Sequence, residues 1–432
     1  MTVSLRHHQA VDDRVKGIPG GTAPFELEEI GAKRWNVLRE DLPLPLAVLK
    51  QSALQHNSQW MQRFVALSGA VICPHGKTTM SPELFQRQLD DGAWGITLSN
   101  ASQLHVARAY GLQRVLLANQ LVGRQAIRYV LDELERDSGF DFYCLVDSLE
   151  GVRLLADAAR QRAIGRPLQV LVEGGFAGGR TGCRDLESAL AVARAVKAAE
   201  PGLALRGVEG FEGIIAHLTP AEAEARVDTL LDFVVLIAVA CDREGLFASG
   251  TLILSAGGSH FYDLVAERFR RAGLRREVLV VTRSGCYLTH DSGMFIPAFE
   301  AVLRRSADAR SLGEGLKPAL EVWAYVQSQP EPRRAFLTMG KRDSSYDSGF
   351  PVPLLWFRPG THQRPQPVGP EHRITMLNDQ HAWLELPEGS PLRVGDMVAS
   401  GISHPCTTFD KWQVLFVVND DYDVVSAVRT FF

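Results

Sequence analysis

Residues 94–118, WGITLSNASQLHVARAYGLQRVLLA, decide the fold. Two short β-rich apolar runs, WGITL and RVLLA, enclose a segment whose apolar residues recur at spacings of three and four, the period of a helix with one buried face. The runs do not alternate apolar with polar, so each strand is covered on both sides. That is the texture of parallel strands joined by helices. The same alternation extends from about residue 70 to 285 through VICP (71–74), WGITL (94–98), RVLLA (114–118), FYCLV (142–146), LQVLV (168–172), FEGIIA (211–216), TLILS (251–255) and VLVVT (278–282). Eight such runs predict an α/β fold of the (β/α)8 barrel type. Helices are expected to start at Ser81, Ala101 and Ser148, ahead of amphipathic segments.

After about residue 320 the pattern changes to short, partly alternating runs rich in aromatics, including EVWAYVQSQ, RRAFLTMG, HAWLEL and VLFVVND, divided by Pro and Gly turns. This predicts a smaller, mainly antiparallel β domain. The division expected is an N-terminal segment 1–40 packing on that domain, a barrel over 41–318 and the β domain over 319–432. PLAVLKQSALQHNSQWMQRFVALSG (45–69) supplies a strand and a helix leading into the barrel, and the proline-rich stretch 350–370 is expected to be a long loop.

Composition narrows the function. With 46% hydrophobic and 22% charged residues and a net charge of -4, the chain has the balance of a globular protein and no basic footprint for nucleic acid or an anionic membrane. A small-molecule substrate is expected. The N-terminus MTVSLRHHQAVDD lacks the apolar core of a signal peptide, and the apolar stretch FVVLIAVAC (233–241) is shorter than a membrane span. Six cysteines without CxxC spacing fit reduced thiols, so the expected location is the cytoplasm.

In a barrel of this kind the reactive groups stand at the C-terminal ends of the strands. Lys77 follows the first run in ICPHGKTTM (72–80), and SAGGSH (255–260) follows the seventh, where consecutive small residues leave backbone N–H groups free to surround an anion. Arg180 lies in VEGGFAGGRTG after the fifth run, His217 closes EGIIAH after the sixth, and Arg283 and Tyr287 follow the eighth in TRSGCY. Together they form a mouth suited to a phosphorylated carbonyl cofactor. Further on, His404 and Cys406 stand two apart in SHPCTTFDKW. In an extended chain they project to the same side, and imidazole with thiolate is a pair that favours zinc over magnesium or calcium.

PHGKTTM, the GGRTG loop, SAGGSH, TRSGCY and the HPC of SHPCTTFDKW resemble the alanine-racemase-like (fold type III) pyridoxal phosphate enzymes, in the branch of D-serine dehydratase and D-threonine aldolase. The resemblance runs from about residue 40 to 415. It implies that Lys77 is the cofactor-binding lysine, that Ser255, Gly257, Gly258 and Ser259 hold the phosphate, and that Arg180 contacts the ring side, with His217 and Tyr287 around it. It also implies a barrel followed by a β domain, and a homodimer. In this branch the dehydratases use His and Cys as metal ligands at the position of His404 and Cys406, whereas the aldolases carry His and Asp. The reaction implied is therefore metal-assisted β-elimination from a 3-hydroxy-D-amino acid such as D-serine or D-threonine, giving a 2-oxo acid and ammonia. Two alternatives stand beside it: a D-threonine aldolase releasing glycine and an aldehyde, and a non-catalytic pyridoxal phosphate carrier. His381 stands in NDQHAW, followed by Ala382 where relatives have glycine.

Overall fold

The computed structural model describes residues 10–432 apart from 163, 216 and 217. Eight parallel strands form one curled sheet: β1 (Val71–Ile72), β2 (Ile96–Leu98), β3 (Arg114–Gln120), β4 (Asp141–Val146), β5 (Leu168–Gly174), β6 (Leu203–Gly210), β7 (Leu252–Ala256) and β8 (Val278–Thr282). They are ordered β1-β8-β7-β6-β5-β4-β3-β2. The ends of this row meet through a parallel bridge between His75 and Thr97. The Thr97 and Trp94 amides also donate to the carbonyls of Pro74 (2.9 Å) and Ile72 (2.8 Å). The interior is filled by Cys73, Leu116, Tyr143, Leu145, Leu171, Ile253 and Val281, so the barrel is a packed core with a mouth at its C-terminal end.

The helices begin where the sequence places them. Ser81 precedes Pro82–Asp90, Asn100 caps Ala101–Ala109 by accepting from the Gln103 amide, and Leu149–Arg162 follows Ser148. Their inward faces, exemplified by Leu84, Phe85, Leu104, Val152 and Leu155, join the main hydrophobic core. No described helix is long and apolar enough to cross a membrane.

The sixth strand corrects the sequence reading. It is LALRGVEG (203–210), and FEGII lies beyond it in a loop containing the 3-10 turn Gly213–Ile215. Arg206 and Glu209 interrupt the apolar run, yet both find partners. Arg206 Nη1 donates to the Ser249 carbonyl at 2.5 Å, and Glu209 pairs inside the barrel. Gly207 permits the close approach of β7, since a Cβ there would lie 2.1 Å from the Ile253 carbonyl oxygen.

The C-terminal domain contains β9 (Leu320–Glu331), β10 (Arg334–Leu337), β11 (Val352–Phe357), β12 (Arg373–Leu377), β13 (Ala382–Glu385), β14 (Met397–Gly401), β15 (Val414–Val418) and β16 (Val424–Arg429). Their mutual pairings are antiparallel. The expected long loop is thus partly a strand. β11 pairs with β14 across a register shift at Pro353–Leu355, which accommodates a proline that cannot donate to the ladder. Leu46–Lys50, although it precedes the barrel, belongs to this second sheet, antiparallel to β9 and parallel to β15. Val11, Ile18, Phe25, Ile30 and Val37 from the N-terminal segment pack with Trp323, Met397, Phe416 and Tyr422 of the same domain.

The two units meet at the barrel mouth. The Ala319 amide donates to Thr289 O (2.8 Å), the Ser292 amide to Ile402 O (2.9 Å) and the Phe431 amide to Met80 O (3.0 Å). These bonds set the segment 402–409 over the ends of β1 and β8.

Candidate active site

β1 is followed by Pro74, His75 and a single 3-10 turn, Gly76–Thr78, that carries Lys77. Gly76 is needed for the approach to the barrel wall, because a Cβ would stand 2.8 Å from the Phe85 ring and from Ile96. Lys77 is partly buried. Burial pushes its amine below the ordinary lysine range. Cys406 and Cys286 pull it upward, while Arg180 and Arg283 push it further down. His75 is held neutral by burial and by the cations Lys77 and Arg283, and its Nδ1 has no partner.

Arg283 enters from the end of β8 and is almost fully buried. Its Nη2 donates to Glu209 Oε2 at 2.6 Å and to the Gly210 carbonyl at 2.9 Å. The exposures of the pair are 3% and 1%, so removal of either partner strands a charge in the interior. Glu209→Ala is expected to cost about 3–5 kcal/mol of stability, read as a lower midpoint in chemical denaturation. An unchanged midpoint would show that the pair is dispensable.

The loop after β7 forms the floor of the mouth. Ser255 Oγ is buried without a partner. A Cβ at Gly257 would meet the Arg283 amide nitrogen at 2.6 Å. The Gly258 amide donates to Glu212 Oε1 at 2.6 Å, and Ser284 Oγ donates to the Gly258 carbonyl at 2.8 Å. The Ser259 side chain lies near Cys286. Ser255 Oγ and Arg283 Nε are buried and unpartnered, beside a loop too crowded at Gly257 for any side chain. They fit a phosphate-bearing ligand. Glu212 shares this cradle, and burial pushes its carboxyl above the usual carboxylate range.

Arg180 is on the exposed rim, its guanidinium stacked 4.4 Å from the Phe211 ring centroid. It is close enough to Lys77 and His75 to oppose their protonation. Tyr287 is not at the mouth. It is 3% exposed, packed in the main core, with its phenol bonded to Gln88 of the outer helix Pro82–Asp90. One residue separates it from Gly285, and its side chain lies in the main core, not in the barrel-interior cluster. His217 lies outside the described residues. His381 is exposed in the turn before β13, where its carbonyl accepts from the Asn378 amide (2.9 Å).

Over the mouth, the His404 amide is bound by Ser345 Oγ at 3.0 Å. Its ring Nδ1 donates to Asp347 Oδ2 at 2.6 Å, while Thr407 Oγ1 donates to the other carboxylate oxygen at 2.6 Å. This fixes the ring and leaves Nε2 as its remaining donor atom. Burial lowers the His404 pKa, but the adjacent Cys406 and Asp347 outweigh it and raise it to about 9. Cys406 lies two residues on, and its Sγ donates to Thr78 Oγ1 at 3.5 Å, one residue from Lys77. An imidazole and a thiol two residues apart are a donor set that a soft divalent metal can take by displacing the thiol proton. Among the described residues no group of three His, Cys, Asp or Glu side chains gathers as a metal cage.

The structure places Lys77, the Ser255–Ser259 loop, Arg180, His404 and Cys406, the residues expected from the sequence motifs, around one mouth. Thr78, Glu209, Glu212, Asp347 and Cys286 were missed. Glu209 lies in the true sixth strand and Glu212 just beyond it, inside the run FEGIIA that the sequence reading takes for that strand, and a charged residue within a barrel strand was the available signal.

Residues 319–418 match the model of the putative serine dehydratase domain. A D-threonine aldolase from Arthrobacter sp is 25% identical over 378 residues, spanning 87% of this chain and 89% of the relative. Among solved structures, D-threonine aldolase from Filomicrobium marinum superposes with a TM-score of 0.75 at 23% identity, covering 90% of this chain and 95% of that one. D-threo-3-hydroxyaspartate dehydratase from Delftia sp. HT23 gives 0.69 at 22% identity, covering 92% and 99%. The chain thus has the alanine-racemase-like fold that its motifs resemble, and carries at its C-terminal end a domain of the putative serine dehydratase type.

Proposed function

We propose that this protein is a pyridoxal-phosphate-dependent D-amino-acid dehydratase. It would convert a 3-hydroxy-D-amino acid such as D-serine or D-threonine into a 2-oxo acid and ammonia, as a cytoplasmic homodimer with a divalent metal, zinc by the softness of its donors. The observation that carries dehydration is Cys406 beside His404 and one hydrogen bond from Thr78, above Lys77. A parallel lies in the related D-threo-3-hydroxyaspartate dehydratase, for which a histidine-to-alanine mutant is known and a cysteine-to-alanine mutant is in the metal-free form. The replaced positions are two apart, as His404 and Cys406 are.

Bound pyridoxal phosphate supplies an electron sink beside the substrate Cα. Ser255, Gly257, Gly258 and Ser259 would hold its phosphate, with Arg180 on its ring side. Lys77, whose amine burial pushes below the ordinary lysine range, would take the proton from Cα. His404 and Cys406 would hold the metal, which would supply Lewis-acid assistance to departure of the β-hydroxyl, a poor leaving group at neutral pH. Asp347 keeps the His404 ring in the tautomer that presents Nε2. Asp347→Asn is expected to weaken metal affinity about 10- to 100-fold, measured by competition with a chromogenic chelator; equal affinity would remove Asp347 from this role.

The products discriminate. Incubation with D-serine and D-threonine should release 2-oxo acid and ammonia in equal amounts. Glycine with an aldehyde would instead establish the second reading, a D-threonine aldolase, which the similarity of the whole chain to such an enzyme supports. A chain that takes up the cofactor and yields neither product set is a carrier.

A further inference from the structure

Cys286 and Cys406 approach each other across the barrel mouth, with Sγ to Sγ at 3.8 Å. They come from opposite units. Cys286 follows β8 in the barrel, and Cys406 opens the short helix Cys406–Phe409 of the C-terminal domain. The Thr78 hydroxyl touches both sulfurs, 3.8 Å from Cys286 and 3.5 Å from Cys406, so one side chain next to Lys77 holds the thiols side by side. Cys286 is buried at 7% exposure, whereas Cys406 is only partly covered. A solvent-borne reagent therefore meets Cys406 first. Neither the barrel fold nor the phosphate cradle calls for a thiol at Cys286, because its neighbours there, Thr78 and Ser259, are satisfied by a hydroxyl as well.

We propose that Cys286 and Cys406 form a redox-active dithiol site, which takes a low-molecular-weight disulfide and closes into an intramolecular bond that staples the two units over Lys77. The step balances. The Cys406 thiolate attacks one sulfur of the reagent, giving a mixed disulfide and releasing one thiol. The Cys286 thiolate then attacks the Cys406 sulfur, forming the Cys286–Cys406 bond and releasing the second thiol. The reagent gains two electrons, the pair loses them, and the two cysteine protons end on the released thiols. On the reading given under Proposed function, closure also removes a metal ligand, so the oxidised enzyme is inactive until reduced and bound zinc protects it.

The test uses the purified full chain, zinc-loaded and after chelation, incubated with oxidised glutathione, then alkylated and mapped without reduction. The expected result is a peptide linking Cys286 to Cys406, faster to form after chelation, with activity lost and recovered by dithiothreitol. In Cys286→Ser, glutathione should remain on Cys406 because no second thiol displaces it, while zinc still binds the reduced variant. Wild-type protein with Cys406 stably glutathionylated, or with both thiols still open to alkylation, overturns the proposal. Cross-linking at equal rates with and without zinc upholds the dithiol and instead removes Cys406 from the metal site.

Discussion

Replacing Lys77 with alanine is expected to abolish turnover, by about 10²- to 10⁴-fold from loss of the positioned base alone. It should also end the covalent capture of pyridoxal phosphate. The measurement is borohydride reduction of the cofactor-loaded protein followed by peptide mapping. In the wild type the reduced label belongs on Lys77; in Lys77→Ala no lysine should carry it. A label elsewhere, or retained turnover, would displace Lys77 from the site. The wild-type pH profile carries a second reading of the same group. The active form of the base is the neutral amine, which accumulates as pH rises through its pKa. Burial, with Arg180 and Arg283 nearby, lowers that pKa. The rising limb of kcat, which reports the base in the substrate-bound enzyme where Lys77 no longer carries the cofactor, should therefore fall below the value of about 10.4 of an unperturbed lysine. Arg180→Gln removes one cation and should move the limb to higher pH.

Cys406→Ala is expected to have the next largest effect. Without its thiolate the metal is left with His404, and loss of Lewis-acid assistance to the departing hydroxide removes several kcal/mol, on the order of 10³-fold in rate. Metal content by elemental analysis should fall with the rate, while cofactor uptake stays intact because the Ser255–Ser259 cradle is untouched. Full activity in thoroughly metal-free Cys406→Ala protein would exclude a metal role at this position.

Local signals were legible in the sequence because their physics is local. Strand-ending motifs such as ICPHGKTTM and SAGGSH carry their own turn chemistry. The H-x-C spacing is a property of three consecutive residues. The barrel strands were legible wherever the run was purely apolar, and failed at LALRGVEG, where Arg206 and Glu209 are charged and satisfied only by distant partners. The proline-rich β11 was hidden in the same way, since its pairing with β14 depends on a residue run about forty positions away. The rest of the site is built from pairs remote in sequence: Glu209 with Arg283, Glu212 with Gly258, Asp347 with His404, and Cys286 with Cys406. Nothing in one chain's local pattern announces such pairs. Tyr287 shows the converse, a residue adjacent to a site motif whose side chain leaves for the core.

The strand Leu46–Lys50 gives the chain an unusual order of assembly. It lies between β9 and β15, and the Lys50 amide donates to the Ala319 carbonyl at 2.8 Å, so the polypeptide leaves the second sheet and returns to it at neighbouring points. The barrel is an insertion between those points. A ribosome, which makes the N-terminal end first, would complete Lys77 and the phosphate cradle while Leu46–Lys50 still lacked both neighbours and His404 and Cys406 were unmade. A chain interrupted near residue 320 would therefore own Lys77 and the Ser255–Ser259 loop but neither His404 nor Cys406, and would expose a bare strand edge, the kind of surface through which incomplete chains stick to one another.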